Sequence, residues 1–379
     1  MLDVTKILKR SWQILWSYRT LWIFGFILAL TVGGSGSGGG GGNSSSSGNR
    51  NNNDQPYTQQ APGNWDWKGL EGSTPLEKLN DGLRQAGAAI QKLQETYPVE
   101  FRMGIALAVT LVIVIVILSL IGAVLRYIAE TATIRMVDEY EQTGVKVGFR
   151  QGWKYGWSAG AWKLFLINFV VHIPALILFV VLGLAAWWII SAALSGVEAA
   201  LVTSLIAGLG LSFLFIFITV ILMVVLYLLR DFAWRMAVLE GTGPLESLRL
   251  ATGLVKRNWK SAGLMWLVMI GVRIAWAIVF FILVFPLLIV SILTAVGGLL
   301  VAIVPTLLTA GLASLLSVPS YWPWAFAAII GMPFFAVVAF SPILLVSGWG
   351  LVYQSGVWTL TYRELKALET VAPAIPAAE

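Results

Sequence analysis

From Ile274 to Tyr362 the chain carries no Asp, Glu, Lys or Arg. About 20 apolar residues cross the hydrocarbon core of a bilayer, so this run alone suffices for more than one transmembrane helix. Shorter charge-free runs extend from Met103 to Leu125, from Leu164 to Val197 and from Ala199 to Leu229. In lipid the backbone must satisfy its own hydrogen bonds, which leaves helices or a closed barrel. The runs are continuous and lack period-two alternation, so a barrel is excluded. With 58% hydrophobic and 12% charged residues, the composition also excludes an ordinary soluble domain. The expected class is an all-α integral membrane protein.

The bases set an orientation. Lys6, Lys9, Arg10 and Arg19 precede the first span, and Arg126, Arg135, Lys146, Arg150, Lys154 and Lys163 fill the second inter-span loop. Arg230, Arg235, Arg249, Lys256, Arg257 and Lys260 fill the fourth, and Arg363 and Lys366 follow the last span. The positive-inside rule assigns this side to the cytoplasm. Arg50, Lys68, Lys78, Arg84, Lys92 and Arg102 lie opposite, and Arg273 falls within a span. The net charge of +6 thus reflects topology, and no nucleic-acid partner is expected. Six spans are predicted, at 11–32, 102–126, 163–190, 199–229, 262–290 and 332–360, with both termini cytoplasmic in the plasma membrane of a bacterium. Leu299 to Ser317 is expected to form a non-spanning helix on the outer side. Were it to cross, the turn from Pro319 to Trp324 would face the cytoplasm without a nearby base.

A short motif recurs before the apolar hairpins. It reads Leu8, Lys9, Arg10, Ser11, Trp12; then Phe149, Arg150, Gln151, Gly152, Trp153; then Leu248, Arg249, Leu250, Ala251, Thr252. Arg135, Met136, Thr143 and Gly144 upstream of the second copy answer to Arg235, Met236, Thr242 and Gly243 upstream of the third. A period of roughly one hundred residues predicts three repeated units, each a cytoplasmic amphipathic elbow plus a helical hairpin. Gly243, Pro244 and Glu246 open the third elbow, and Gly152, Gly156 and Gly160 give the second a face for close helix approach. Basic amphipathic segments beside spans read as interfacial helices touching anionic headgroups. The candidate contacts are Lys9, Arg10, Arg150, Lys154, Arg249, Lys256 and Arg257.

Five regions follow: elbow and first span at 1–32, an extracytoplasmic linker at 33–72, an amphipathic extracytoplasmic helix at 73–98, the transmembrane bundle at 99–366 and a cytoplasmic tail at 367–379. The first region has the look of a signal peptide, yet it contains Trp12, Trp16 and Trp22 and matches two internal copies, so retention is expected. The linker is rich in Gly, Ser and Asn and is expected to be disordered. Thr74, Pro75 and Glu77 then start a helix over 75–97. Its Leu76, Leu79, Leu83, Ala86, Ile90, Leu93 and Tyr97 form a coiled-coil seam of about three heptads. That helix either lies on the outer ends of the spans, joins a second copy through its seam, or binds an external partner.

Catalytic constellations are scarce. The absence of cysteine excludes thiolate nucleophiles and thiolate metal sites, and the single histidine excludes a two-histidine metal motif. No cofactor is expected. The polar residues within spans are Asn168 and His172, one turn apart, with Arg273 and Gln354. They form the candidate intramembrane site, because ionisable groups in spans commonly face a bundle interior or a water-filled path.

The run Trp234 to Gly241, with Pro244 to Leu248 and Leu254 to Trp259, resembles the glycerophosphoryl diester phosphodiesterase membrane domain and similar bacterial multipass proteins. Ser11 and Trp12 with Leu21 to Gly25, and Tyr362 to Leu365, are similar too. The resemblance implies a helical membrane fold and a link to lipid metabolism or the envelope. It carries over no catalytic residue, since in that family hydrolysis belongs to a separate soluble domain. The expected function is non-enzymatic lipid binding or envelope organisation through the elbows. The alternative is a transporter of a small molecule or lipid, with a polar path near His172 and Arg273.

Overall fold

The computed structural model describes residues 2–32, 75–194, 198–319 and 321–371. The expected linker at 33–72, the N-cap at Thr74 and most of the C-terminal tail lie outside these residues. The described residues are helical throughout apart from short connections. Six helices are long and apolar enough to cross a membrane.

The elements are α1 (Val4–Ser17), α2 (Thr20–Val32), α3 (Pro75–Thr96), α4 (Pro98–Thr143), α5 (Phe149–Gly156), α6 (Ala159–Leu194), α7 (Glu198–Arg235), α8 (Pro244–Arg257), α9 (Trp259–Leu315), α10 (Trp322–Ala339) and α11 (Ser341–Val371). A π-helical turn, Met236–Glu240, extends α7. They divide into two compact units. The larger comprises residues 1–35, 102–180 and 214–379, and the smaller residues 36–101 and 181–213. In the smaller, Gly208 lets the two arms of the α6/α7 hairpin approach, since a Cβ there would stand 3.0 Å from Ile189.

Several expected boundaries are corrected. The stretch 11–32 is not one straight helix. It is α1 and α2, bent by 100° at Tyr18–Arg19. With 13 residues, α2 is only about 20 Å long at 1.5 Å per residue, short of the usual crossing length. The regions after 126 and after 229, read as loops, are helical, so Arg126, Arg135, Arg230 and Arg235 sit on extensions of α4 and α7. The 262–290 span and the expected outer helix 299–317 are one unbroken α9 of 57 residues, roughly 86 Å long. Pro286 and Pro305 do not break it. The span expected at 332–360 is split at Phe340. Pro342, early in α11, lacks the N–H that would have continued α10.

In the larger unit α9 and α10 run antiparallel. Thr294 donates to the Ala339 carbonyl at 2.7 Å, and the glycine faces Gly298 and Gly331 lie on Phe335 and Thr306. Next, α11 returns along α9 and receives α2 through Gly25 and Gly348. A Cβ on Gly25 would stand 2.7 Å from the Gly348 carbonyl oxygen, so only glycine permits this approach. The apolar core gathers one end of these helices with α1, α5 and α8: Ile7, Ile14, Phe24, Ile134, Met136, Leu164, Phe232, Leu254, Met265, Val357 and Leu365 are all buried. By contrast, the apolar side chains from Ile105 to Val124 of α4 and from Ile274 to Leu315 of α9 are largely exposed, as lipid-facing surfaces are.

Two glycines end α4 and α7. Gly144 and Gly241 adopt left-handed φ values of 71° and 73°, ending α4 and the π-turn of α7 as glycine C-caps do. Gly148 and Gly243 then stand extended as the N-caps of α5 and α8.

Candidate functional site

Two features stand out: a buried arginine network among α4, α6, α7 and α11, and the exposed faces of the elbow helices α1, α5 and α8.

The network begins with Arg235, the largest side chain wholly removed from solvent. One turn before it on α7, the Asp231 carbonyl accepts from its Nη1 at 2.7 Å. Across the bundle, Ser355 of α11 accepts from Nη2 through its carbonyl at 3.2 Å. Two carboxylates face the guanidinium, Glu130 of α4 at 3.7 Å and Asp231 at 4.0 Å. Ser355 Oγ in turn donates to Glu130 at 2.7 Å. Three helices are thus tied through one cation. Its enclosure is affordable only because both charges and hydrogen bonds are supplied.

Arg230 lies five residues earlier, between the rings of Tyr227 and Trp234, with its guanidinium carbon 4.9 and 4.7 Å from their centroids. It donates to Asp231 at 3.4 Å and to the Asn168 amide oxygen at 3.5 Å, both long. Asn168 donates to the Tyr127 hydroxyl at 2.9 Å. Arg126, half-buried on α4, is close enough to interact with Arg230 and Glu130.

The expected intramembrane residues fall into two pairs. Asn168 joins the network, and His172 Nδ1 lies 2.7 Å from the Asn168 carbonyl. That carbonyl belongs to the turn above Pro174's orphan, because the N–H missing at Pro174 would have met residue 170. Arg273 of α9 is exposed and donates from Nε to Gln354 of α11 at 3.1 Å. Sequence reading missed Arg235, Asp231 and Glu130 by placing them in loops. The available signal was the acid one turn before the Trp-Arg-Met triplet, an i, i+4 pair that belongs on a helix.

The elbows are built alike. Each buries small or apolar residues: Ile7, Ser11 and Ile14 in α1, Gly152 and Gly156 in α5, and Ser247, Ala251 and Leu254 in α8. Ser11 donates to the Tyr353 carbonyl of α11. A Cβ at Gly152 would lie 2.5 Å from Met136 Sδ and 2.9 Å from Phe24, so α5 rests on α4 and α2. The expected start of α8 is borne out: Gly243 is the N-cap and its N–H meets Glu246 at 3.4 Å.

All seven candidate lipid-contacting bases are exposed. Arg10 pairs with Glu141 at 2.7 Å and Arg257 with Glu369 at 2.7 Å, the latter bond holding the Arg257 guanidinium above its ordinary pKa. Lys9, Arg150, Lys154, Arg249 and Lys256 have no ion pair among the described residues. Beside them Trp12, Trp16, Phe149, Trp157, Leu245, Leu250 and Trp259 are exposed too. A cleft of about 260 Å³ between α1, the end of α4 and α11 is lined by Lys6, Arg10, Glu141, Arg363 and Glu364. No group of residues able to hold a metal ion occurs among the described residues.

Residues 3–364 match a protein family described as "Family of unknown function (DUF7544)". No curated protein and no solved structure matches the chain.

Proposed function

We propose that this chain, which belongs to the DUF7544 family of unknown function, is a non-enzymatic membrane protein that holds anionic lipid at one bilayer face through its three elbow helices. The observation that carries the reading is the shared build of α1, α5 and α8: a small-residue face buried in the bundle, with uncommitted bases beside exposed aromatic or leucine side chains. Trp seeks the headgroup level and bases seek anionic lipid, each base near such a surface contributing about 1 kcal/mol. The similarity to the glycerophosphoryl diester phosphodiesterase membrane domain agrees with a lipid setting. On this reading the elbows are repeated units on the cytoplasmic side of a bacterial plasma membrane, with both termini inside. The exposed Ile90 and Leu93 of α3, with Tyr97 directly after it, support self-association through its seam.

The test compares lipids retained by the wild type and by a variant with Lys9, Arg150, Lys154, Arg249 and Lys256 all changed to Gln. Lipid mass spectrometry is expected to find the anionic fraction reduced by at least about tenfold, a change that the loss of two bases at about 1 kcal/mol each already exceeds, and zwitterionic lipid unchanged. Equal anionic lipid in both would refute the reading.

Transport is the second reading, favoured by the charged groups Glu130, Arg230, Asp231 and Arg235 enclosed between spans. Substrate flux in proteoliposomes that disappears in Glu130→Gln, while fold and lipid retention persist, would select it.

A further inference from the structure

We propose that Arg257 and Asn258, at the junction of α8 and α9, form a seat for the phosphate of an anionic phospholipid, and that Glu369 of α11 occupies this seat as an internal competitor. The inference rests on the reading of the elbows as holders of anionic lipid and adds a control on the third of them.

Geometry is the first argument. Arg257 Nε donates to one Glu369 carboxylate oxygen at 2.7 Å, and Nη2 donates to the other at 3.1 Å. Asn258 Nδ2 donates to the first of these oxygens at 3.1 Å. A guanidinium fork takes two phosphate oxygens as it takes two carboxylate oxygens, so Glu369 stands where a phosphate would stand. Contacts other than Glu369 help to hold the donors. Asn258 Nδ2 also donates to the Leu254 carbonyl at 3.3 Å, and the Asn258 backbone N–H donates to the same carbonyl at 3.0 Å. The guanidinium lies against Gly253, where a Cβ would stand 3.3 Å from Nη1.

The balance of energies is the second. The Arg257 side chain is 65% exposed and that of Glu369 28%. An ion pair this open to water stabilises little, and a base at an anionic membrane surface gains a comparable amount. Exchange of carboxylate for phosphate is therefore close to even, and the anionic lipid content of the membrane decides it. Release of Glu369 leaves the core intact. Among the described residues of α11, Leu365 is the last that is buried, and Lys366 and Leu368 beyond it are exposed, so the final turn can fray alone.

Setting supplies the third. Exposed Lys256 and Lys260 flank the fork in the sequence. Trp259, also exposed, directly follows Asn258, with Lys260 Nζ 5.9 Å from its ring centroid. An exposed Trp among bases suits the headgroup layer, where a phosphate belongs to a lipid.

The full chain in detergent would be titrated with phosphatidylglycerol and phosphatidylcholine and read by native mass spectrometry. Glu369→Gln is expected to bind phosphatidylglycerol about threefold more tightly than the wild type, as loss of an exposed competing pair allows, with phosphatidylcholine unchanged. In an Arg257→Gln background the same substitution is expected to change nothing, which sets the seat apart from a general gain in net charge. Millimolar inorganic phosphate should leave the lipid bound. Equal phosphatidylglycerol affinity in the wild type and Glu369→Gln, a gain that persists without Arg257, or displacement of the lipid by inorganic phosphate overturns the seat. The five-Gln elbow variant retains Arg257 and judges the elbow reading separately. Lipid loss in that variant with no effect of Glu369→Gln overturns the seat alone. A gain in Glu369→Gln that depends on Arg257, with no loss in the five-Gln variant, supports the seat and refutes the elbow reading.

Discussion

Arg235 shows how one residue can be misjudged in a linear reading. It stands among bases and after an apolar run, as a loop cation would, yet it is the central tie of the bundle. Depth along a helix cannot be read from charge alone when the helix continues beyond the bilayer. Removing the guanidinium strands Glu130 and Asp231 without their cation, so Arg235→Ala is expected to cost about 3–5 kcal/mol, measured as a fall in the unfolding midpoint in detergent. A variant as stable as the wild type would show that the network is not what ties α4, α7 and α11. Tyr155 of α5 offers a pH test. The nearby Glu139 carboxylate, as acceptor and as negative charge, holds its phenol above the ordinary value of 10.0. The folded pKa is thus raised, and the clasp's contribution is complete below pH 10 and lost as pH climbs through the folded value. The melting temperature of the wild type should therefore decline more steeply in alkaline buffer than that of Tyr155→Phe. Parallel curves would count against the clasp.

At the level of elements, the long charge-free runs and the helix opening at Pro75 were plain in the sequence, because length and local propensity are local properties. Helix ends were not. α4 and α7 continue past their charge-free runs, where Tyr127, Glu130 and Arg235 find partners on neighbouring helices, which no local pattern reports. Pro286 and Pro305 lie within α9 without breaking it, whereas Pro342 follows the break between α10 and α11. The contact of α2 with α11 through Gly25 and Gly348 was likewise invisible, although the glycines themselves were in view. Gly348→Val would drive a side chain into the backbone of α2 and is expected to destabilise by about 1–3 kcal/mol. Gly271→Ala on α9, where a Cβ meets open space, should stay within about 0.5 kcal/mol of the wild type. Equal melting temperatures for the two variants would contradict the packing of α2 on α11.

For the whole molecule, the candidate site was legible only in part. The elbow bases were identified from amphipathic spacing, and the structure leaves Lys9, Arg150, Lys154, Arg249 and Lys256 exposed without ion pairs while committing Arg10 and Arg257 to Glu141 and Glu369. Asn168 and Arg273, read as members of one candidate intramembrane site, separate onto different helix junctions. Position within a span fixes height along a bundle and says nothing of the angle around it. The central claim is that the three elbows lie together at one headgroup layer. The chain has no cysteine, so a single cysteine at Trp12, Trp157 or Trp259 can carry a spin label in three separate variants. Their immersion depth and accessibility to an impermeant reductant in oriented proteoliposomes should be measured first. The account predicts that all three sit near the phosphate level and are protected or reduced from the same side. An elbow reached from the opposite side, or one fully in water, would contradict it.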